Sequence, residues 1–451
     1  MNASRTGLIV VPGDLAIDAL KIGLRVLQAF LLSPCGLFLF ALTAMLLRPP
    51  DVPFYEIDRV AFLFLIVGIL GRSLLERNRF QVFERPTWPM LALTALAMIG
   101  VSSNPFDSQA WSLLAAKFIV PFALFHVALL VFREERERRY FEFFSLAALA
   151  YLCFISIAFL VDARALIFPR FILDESLGYH ADRARGPFLQ AVANGVSLNL
   201  LGVLALHSVL RGRIRGLLAG LLLGAVPLAI LATMTRAVWL SFLGSMGILI
   251  VRSQNRLLRR ACIAIACIGA IGLLLALGVD DHRHALRDRL EESGPLDFRE
   301  AVYSGCWQMF LEHPITGWGV NQMPLELARH VSGYEEKELY PHNTYLELLV
   351  EHGVAGLALY FWLMGELLHL ARFSLPEGES HLFFNNQFLR LWPVLLGIYW
   401  LNACFVVMNY QFVNGLVFTL AGMLAAQRRR SGRISPVAST SGLLSSRAIQ
   451  P

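Results

Sequence analysis

The sequence predicts an all-α, polytopic inner-membrane protein with about twelve transmembrane helices and one long, partly helical outer loop. Three observations carry that reading. The 451 residues are 56% apolar and only 16% charged, with a mean hydropathy of +0.58, whereas a soluble domain carries about 25% charged residues. Apolar runs recur along almost the whole chain. Arginine alternates between dense and sparse in the short connections that separate those runs.

A helix needs roughly 20 mostly apolar residues to cross a bilayer. Candidate spans lie at 28–47, 60–76, 88–103, 110–132, 141–161, 189–210, 216–234, 237–251, 261–278, 343–370, 388–408 and 411–427. Residues 1–27 form a separate unit. Within them, 14–27 alternate apolar and polar at helical spacing, the pattern of an amphipathic helix lying on the cytoplasmic face. Asp14, Asp18, Lys21 and Arg25 interrupt this early run, which argues against a cleavable signal sequence. Residues 428–451 begin with Arg428, Arg429 and Arg430, turn rich in Ser, Gly and Pro, and read as a disordered cytoplasmic tail.

Orientation follows from short-loop charge. Segments 76–87, 133–140, 211–215 and 252–260 hold fourteen Arg; the alternate connections 48–59, 104–109, 235–236 and 409–410 hold three. The first set is therefore cytoplasmic, as are both termini. Two long loops then face the periplasm, 162–188 and 279–342. In the second, 297–310 has helical spacing, and His313 to Gly319 reads as a turn. The net charge of +6 fits basic cytoplasmic loops and membrane lipid as neighbour, without nucleic acid. No Cys/His ligand spacing appears, no Asp-x-Asp pair follows the first span, and the interleaved arginines of 280–284 favour a solvated loop. No metal or other cofactor is expected.

The chemistry concentrates on the outer side. His342 stands where the long loop enters an apolar helix, and Asn343, Glu347 and Glu351 follow on one helix face. Ionisable groups at that depth are costly and mark candidate sites. An imidazole titrates near ambient pH and can act as general base; its plain alternative is a capping or loop-packing histidine. Arg236 lies in a two-residue turn among apolar neighbours, so it needs an anion. That anion is either a phosphate, for which the guanidinium fork is suited, or an intramembrane acid such as Glu347. Arg164, Arg170, Arg183, Arg185 and Arg299 add positive charge to the outer loops.

Two spacings match a recognisable pattern: Arg236 to Leu240 fits Arg-x3-Leu, and His342 to Gly353 fits His-x10-Gly. With Arg185-Gly-Pro-Phe188, Asn194, Phe298 to Trp307, His313-Pro314 and Gly317-Trp-Gly319, they resemble the O-antigen ligase and Wzy-type polysaccharide polymerase superfamily over about residues 185–425. The resemblance implies an inverting, metal-independent glycosyl transfer on the periplasmic face. The donor would be a glycan on undecaprenyl pyrophosphate, and the acceptor lipid A-core, a second lipid-linked glycan, or protein Ser/Thr. It further implies that Arg236 and Arg299 grip the pyrophosphate and that His342 handles the acceptor hydroxyl with Glu347 assisting. Arg185, Arg183, Arg170 and Asn343 are candidates for further substrate contacts, Arg185 preferred among the arginines. A flippase or transporter for the lipid-linked oligosaccharide is the competing class. It would place polar groups through the midplane of several spans, where this chain has few, Lys117 and Glu366 being the clearest.

Overall fold

The computed structural model describes residue 28 and residues 32–48, 57–76, 83–102, 105–178, 180–278, 294–331, 338–375 and 381–441. The amphipathic segment 1–27, the 280–284 cluster with Arg283, Arg287 and Arg289, the Glu335 to Lys337 run and the terminus 442–451 lie outside them.

Among the described residues the chain is helical, without strands. Helices α1 (Pro34–Leu46), α2 (Ile57–Glu76), α3 (Thr87–Ser102), α4 (Ser108–Val131), α5 (Glu135–Leu160), α6 (Ala191–Leu210), α7 (Gly216–Ala232), α8 (Arg236–Arg252) and α9 (Arg256–Leu277) come first. The long loop contributes α10 (Gly294–Glu312) and α11 (Met323–His330), and α12 (Thr344–His369), α13 (Asn386–Ala403) and α14 (Gln411–Ser441) follow. Each of the twelve apolar runs falls on one of these helices. Five of them, α4, α5, α6, α12 and Arg256–Leu275 of α9, are long and apolar enough to cross a membrane; α1, α3, α7 and Arg59–Gly71 of α2 are shorter apolar helices.

One boundary departs from expectation. Helix α14 continues to Ser441, so the stretch from 428 begins as helix rather than as a disordered tail. Its first part is docked: Arg428 donates to the His369 carbonyl at 3.1 Å, Arg429 pairs with Glu84, and Gln427 accepts from Arg138 at 2.7 Å.

The connections gather at two ends. At one, Glu84 meets Arg429, Arg85 meets His369, and Arg211 reaches Glu142 (2.9 Å), Glu135 (3.4 Å) and the His381 carbonyl (2.7 Å). At the other, Arg48 donates to Gln411 (2.8 Å) and Asn321 to Asp107 (2.9 Å); Thr344 donates to the Val406 carbonyl (2.8 Å). This is the same division that loop arginines made in the sequence. Helix α6 is the central pillar, packing against α5, α7, α8, α9, α13 and α14. Most of its buried polar side chains find a partner, Asn199 on Ser241, His207 Nε2 on the Phe383 carbonyl and Ser208 on Glu142, as a bilayer-embedded core favours. Asn194 Oδ1 and His207 Nδ1 have none.

Helix α12 breaks at Gly353, whose φ of 62° and ψ of −165° are open essentially to glycine alone. The break leaves helical carbonyls and N–H groups without their i/i+4 partners, and the turn after α10 supplies new ones. Trp318 N–H donates to the Val350 carbonyl and Gly319 N–H to that of Glu351, both at 2.9 Å; Val354 and Ala355 donate to the Pro314 and Ile315 carbonyls at 2.9 and 3.3 Å. Non-helical backbone at such depth persists only where protein re-satisfies it. A Cβ on Gly353 would collide with the Ile315 carbonyl, and one on Gly317 with the backbone of Glu351 and His352. The His-x10-Gly and Gly-Trp-Gly spacings are therefore two halves of one joint.

Around that joint α10 and α11 build a small core from Val302, Cys306, Met309, Met323, Leu327 and Val350. Trp318 Nε1 donates to the Met309 carbonyl at 2.8 Å, and His313 packs edge-on against its ring at 4.6 Å. The outer loop is thus fixed to α12 rather than draped over it. Gly353→Ala is expected to cost about 1–3 kcal/mol from strain, with a lower melting temperature and yield of monodisperse protein. Gly365→Ala, in an open helical position of the same helix, stays within about 1 kcal/mol of the parent; equal behaviour of the two variants in a melting assay would contradict the role given to Gly353.

Candidate active site

His342 is the residue before the α12 N-cap. Asn343 caps the helix, its side-chain oxygen accepting from the N–H groups of Tyr345 (2.9 Å) and Leu346 (3.2 Å). Thr344, in the first turn, donates to the Val406 carbonyl and accepts from Met408 N–H, locking the helix start to the α13–α14 connection. Asn343 is therefore occupied in positioning its neighbour. His342 takes a left-handed backbone, φ 48°, uncommon for a non-glycine residue and typical of over-determined sites. Its side chain stays exposed at the mouth.

Two basic side chains lie near it. Burial against the surrounding protein pushes the His342 imidazole below its ordinary value, and the nearby Arg299 and His180 push it the same way. Arg299 projects from the first half of α10 and is half-buried. His180 belongs to the first outer loop and was not singled out by the sequence, although it lies three residues from Arg183.

That loop is the bridge to Arg236. Arg183 N–H donates to the His180 carbonyl at 3.1 Å, and Ala184 N–H to the Ala232 carbonyl at 3.1 Å, next to the α7–α8 turn. Asn194, in the first turn of α6, holds the bridge down through the Ala184 carbonyl (2.7 Å) and Ser156 (3.0 Å). Arg236 is the first residue of α8, its side chain exposed. Trp239 anchors the turn by donating to the Ile230 carbonyl at 3.1 Å. A helix N-terminus adds N–H dipoles that favour an anion. Arg299 and His180 therefore lie near enough to His342 to act on it, and the loop that carries His180 and Arg183 reaches Ala232, four residues before Arg236.

The other predicted residues have different occupations. Arg185 is buried, its guanidinium donating to the carbonyls of Ile172 (3.1 Å), Leu177 (2.5 Å) and Asp174. It is the internal clasp of the loop, and its fork is not presented to a ligand. Arg170, exposed, donates to the Arg164 and Ala165 carbonyls at 3.0 Å each. Arg183 retains a side chain 12% exposed, with Asp182 at 3.7 Å.

Glu347 does not meet Arg236. Its partner is Lys117: Nζ lies 2.7 Å from Glu347 and 2.9–3.0 Å from both oxygens of Glu351, all three side chains under a tenth exposed. Lys117 sits in a one-turn π segment of α4, Ala115–Ile119, a local widening that breaks the regular α register there. His352 lies against the same group, 3.9 Å from Glu351 and edge-on to Phe118. The signal was present in the sequence: two inward carboxylates one turn apart demand a cation, and Lys117 is the only midspan lysine.

A helical membrane bundle with a basic, histidine-bearing mouth built on a broken helix defines the class of this protein. Comparison with known proteins then gives its relatives. Residues 218–361 match the sequence model of the O-antigen ligase family, a segment that contains Arg236, Arg299, His342 and Gly353. The O-antigen ligase of Salmonella typhimurium strain LT2 is 26% identical over 211 residues, covering 45% of this chain and 50% of that protein. The chain thus spans about half the length of the curated relative it matches. Over this segment the chain is similar to the O-antigen ligase family.

Lys117→Met would strand two buried carboxylates and is expected to destabilise the bundle by about 3–5 kcal/mol. Combining it with Glu347→Gln and Glu351→Gln removes the unmatched charge and recovers most of that loss. Size-exclusion profiles after graded heating check this; a triple variant no better than the single one would contradict the ion cluster as the cause.

Proposed function

We propose that this chain is a glycosyltransferase acting at the end of the bundle that carries His342, which the arginine distribution assigns to the periplasm. It moves a glycan from undecaprenyl pyrophosphate to an acceptor hydroxyl with inversion. The observation that carries the reading is the loop 180–185, which joins the Arg236 turn to the mouth shared by Arg299 and His342.

The chemistry follows from the charges. The acceptor oxygen attacks the anomeric carbon from the face opposite the pyrophosphate. Its proton passes to His342, the bond from the anomeric carbon to the phosphate oxygen breaks, and lipid pyrophosphate leaves. In this reading Arg236 and Arg299 stabilise the negative charge that grows on the leaving group, with Arg183 a further candidate for that role. Their fixed charges can do the neutralising that a divalent cation does elsewhere, so the reaction is expected to tolerate EDTA. A depressed imidazole is neutral at neutral pH, the form a general base needs. Glu347, tied to Lys117 at the start of α12, acts by holding the helix below His342 rather than by touching the acceptor. The family's substrates support lipid A-core or a second lipid-linked glycan as acceptor.

Purified protein with a lipid-linked glycan and candidate acceptors tests this. His342→Ala is expected to lower the rate about 10²–10⁴-fold, and Arg236→Ala and Arg299→Ala about 10²–10³-fold each, with membrane expression unchanged. Product formation at parental rates in these variants would remove the site; strict dependence on added Mg²⁺ would remove the metal-free mechanism. The rate should fall on acidification with a midpoint below the ordinary histidine value of about 6.5, because burial, Arg299 and His180 all disfavour the imidazolium. His180→Gln removes one of those influences and should move the midpoint upward; a midpoint above 6.5 would contradict His342 as base.

A further inference from the structure

At the opposite end of the bundle, a groove runs between α8 and α13, with α9 closing one side. Its cavity is about 460 Å³, within the range of small-ligand sites. The wall changes character along its length. Ile248, Leu249, Val394 and Ile398 make it apolar toward the middle of the bundle, and Arg252, Ser253, Asn255, Gln387 and Arg390 make it polar at the end. Two glycines open it: a Cβ on Gly244 or Gly397 would meet nothing within 4 Å, and both are exposed on the outer surface of the bundle.

The polar end has charge to match. Arg138 and Arg211, at the same end, are balanced by Glu135 and Glu142; no carboxylate lines this groove. Arg252 closes the last turn of α8, where the helix dipole alone welcomes a cation. Arg390 has no such excuse. It lies one turn into α13, at the end where the dipole favours anions. Gln387, between them, has an amide nitrogen that is buried without a hydrogen-bond partner. An anion seated between the two guanidinium groups and this amide satisfies all three.

We propose that the groove is a binding site for an anionic glycerophospholipid. Its phosphate lies between Arg252 and Arg390, and an acyl chain runs past Gly244 and Gly397 toward Ile398. A long apolar slot ending in two arginines at the arginine-rich membrane surface fits a lipid better than a free phosphate, which has no use for the apolar part. The site is distinct from the basic mouth around His342, which lies at the other end, and it stands whether or not that mouth transfers glycans.

Native mass spectrometry of the full chain released from detergent, titrated with phosphatidylglycerol and with phosphatidylethanolamine, tests the proposal. The parent is expected to retain phosphatidylglycerol in preference to phosphatidylethanolamine. Arg252→Gln with Arg390→Gln should reduce retention about tenfold or more. Arg259→Gln with Arg260→Gln, on the same surface but outside the groove, should leave it unchanged. Gly397→Leu fills open space without a clash and should lower retention with both arginines intact, which decides the matter if the double variant folds poorly. Equal retention of the two lipids by the parent would overturn the site. So would undiminished binding in the groove variants, or an equal loss in the Arg259/Arg260 control.

Discussion

A broken helix inside a bilayer must find new partners for its backbone, and that constraint organises this protein. The break in α12 at Gly353 frees carbonyls at Val350 and Glu351 and N–H groups at Val354 and Ala355; the turn of residues 314–319 donates to the first pair and accepts from the second. Four hydrogen bonds of this kind bind the outer subdomain to the membrane helix as firmly as one helical turn binds the next. The joint thereby ties α10, which carries Arg299, to α12, which follows His342, and the guanidinium is near enough to disfavour the imidazolium. Without the joint, a loop of more than sixty residues could not place a guanidinium reproducibly beside an imidazole.

Arginine serves different purposes at the two ends, and burial sorts them. Arg138 and Arg211 are enclosed and matched by Glu135, Glu142 and backbone carbonyls, so they fasten helices. Arg185 is likewise consumed by three carbonyls. Arg236 has the opposite character, exposed at a helix N-terminus; its proposed role is that of a phosphate contact. Inside the bundle, Lys117 is held by Glu347 and Glu351.

Much of this was legible in the sequence, for physical reasons. Bilayer thickness sets helix length, so each apolar run falls on a helix among the described residues, even where the helices extend several residues beyond the runs, as in Glu135–Leu160. Five of these helices are long and apolar enough to cross a membrane. The His-x10-Gly and Arg-x3-Leu spacings singled out His342, Arg236 and Gly353, but not the break of the helix at Gly353. Three-dimensional pairing was not legible. Arg185 and Arg183 look alike in sequence, and only the path of residues 172–177 decides that Arg185 turns inward. Glu347 shares a face with Asn343 on a helical wheel, yet its cation comes from α4, 230 residues earlier in the chain. His180 lacked any spacing signal, because its relation to His342 depends on how two distant loops meet.

The central claim is that the pyrophosphate of a lipid-linked donor sits on Arg236 and Arg299 with its sugar facing His342. An experimental structure of the protein with an undecaprenyl pyrophosphate glycan bound tests it most directly. The account predicts phosphate oxygens within about 3 Å of both guanidinium groups and the anomeric carbon turned toward the His342 imidazole. A pyrophosphate bound at the arginine-rich opposite end, or one contacting neither Arg236 nor Arg299, would contradict it.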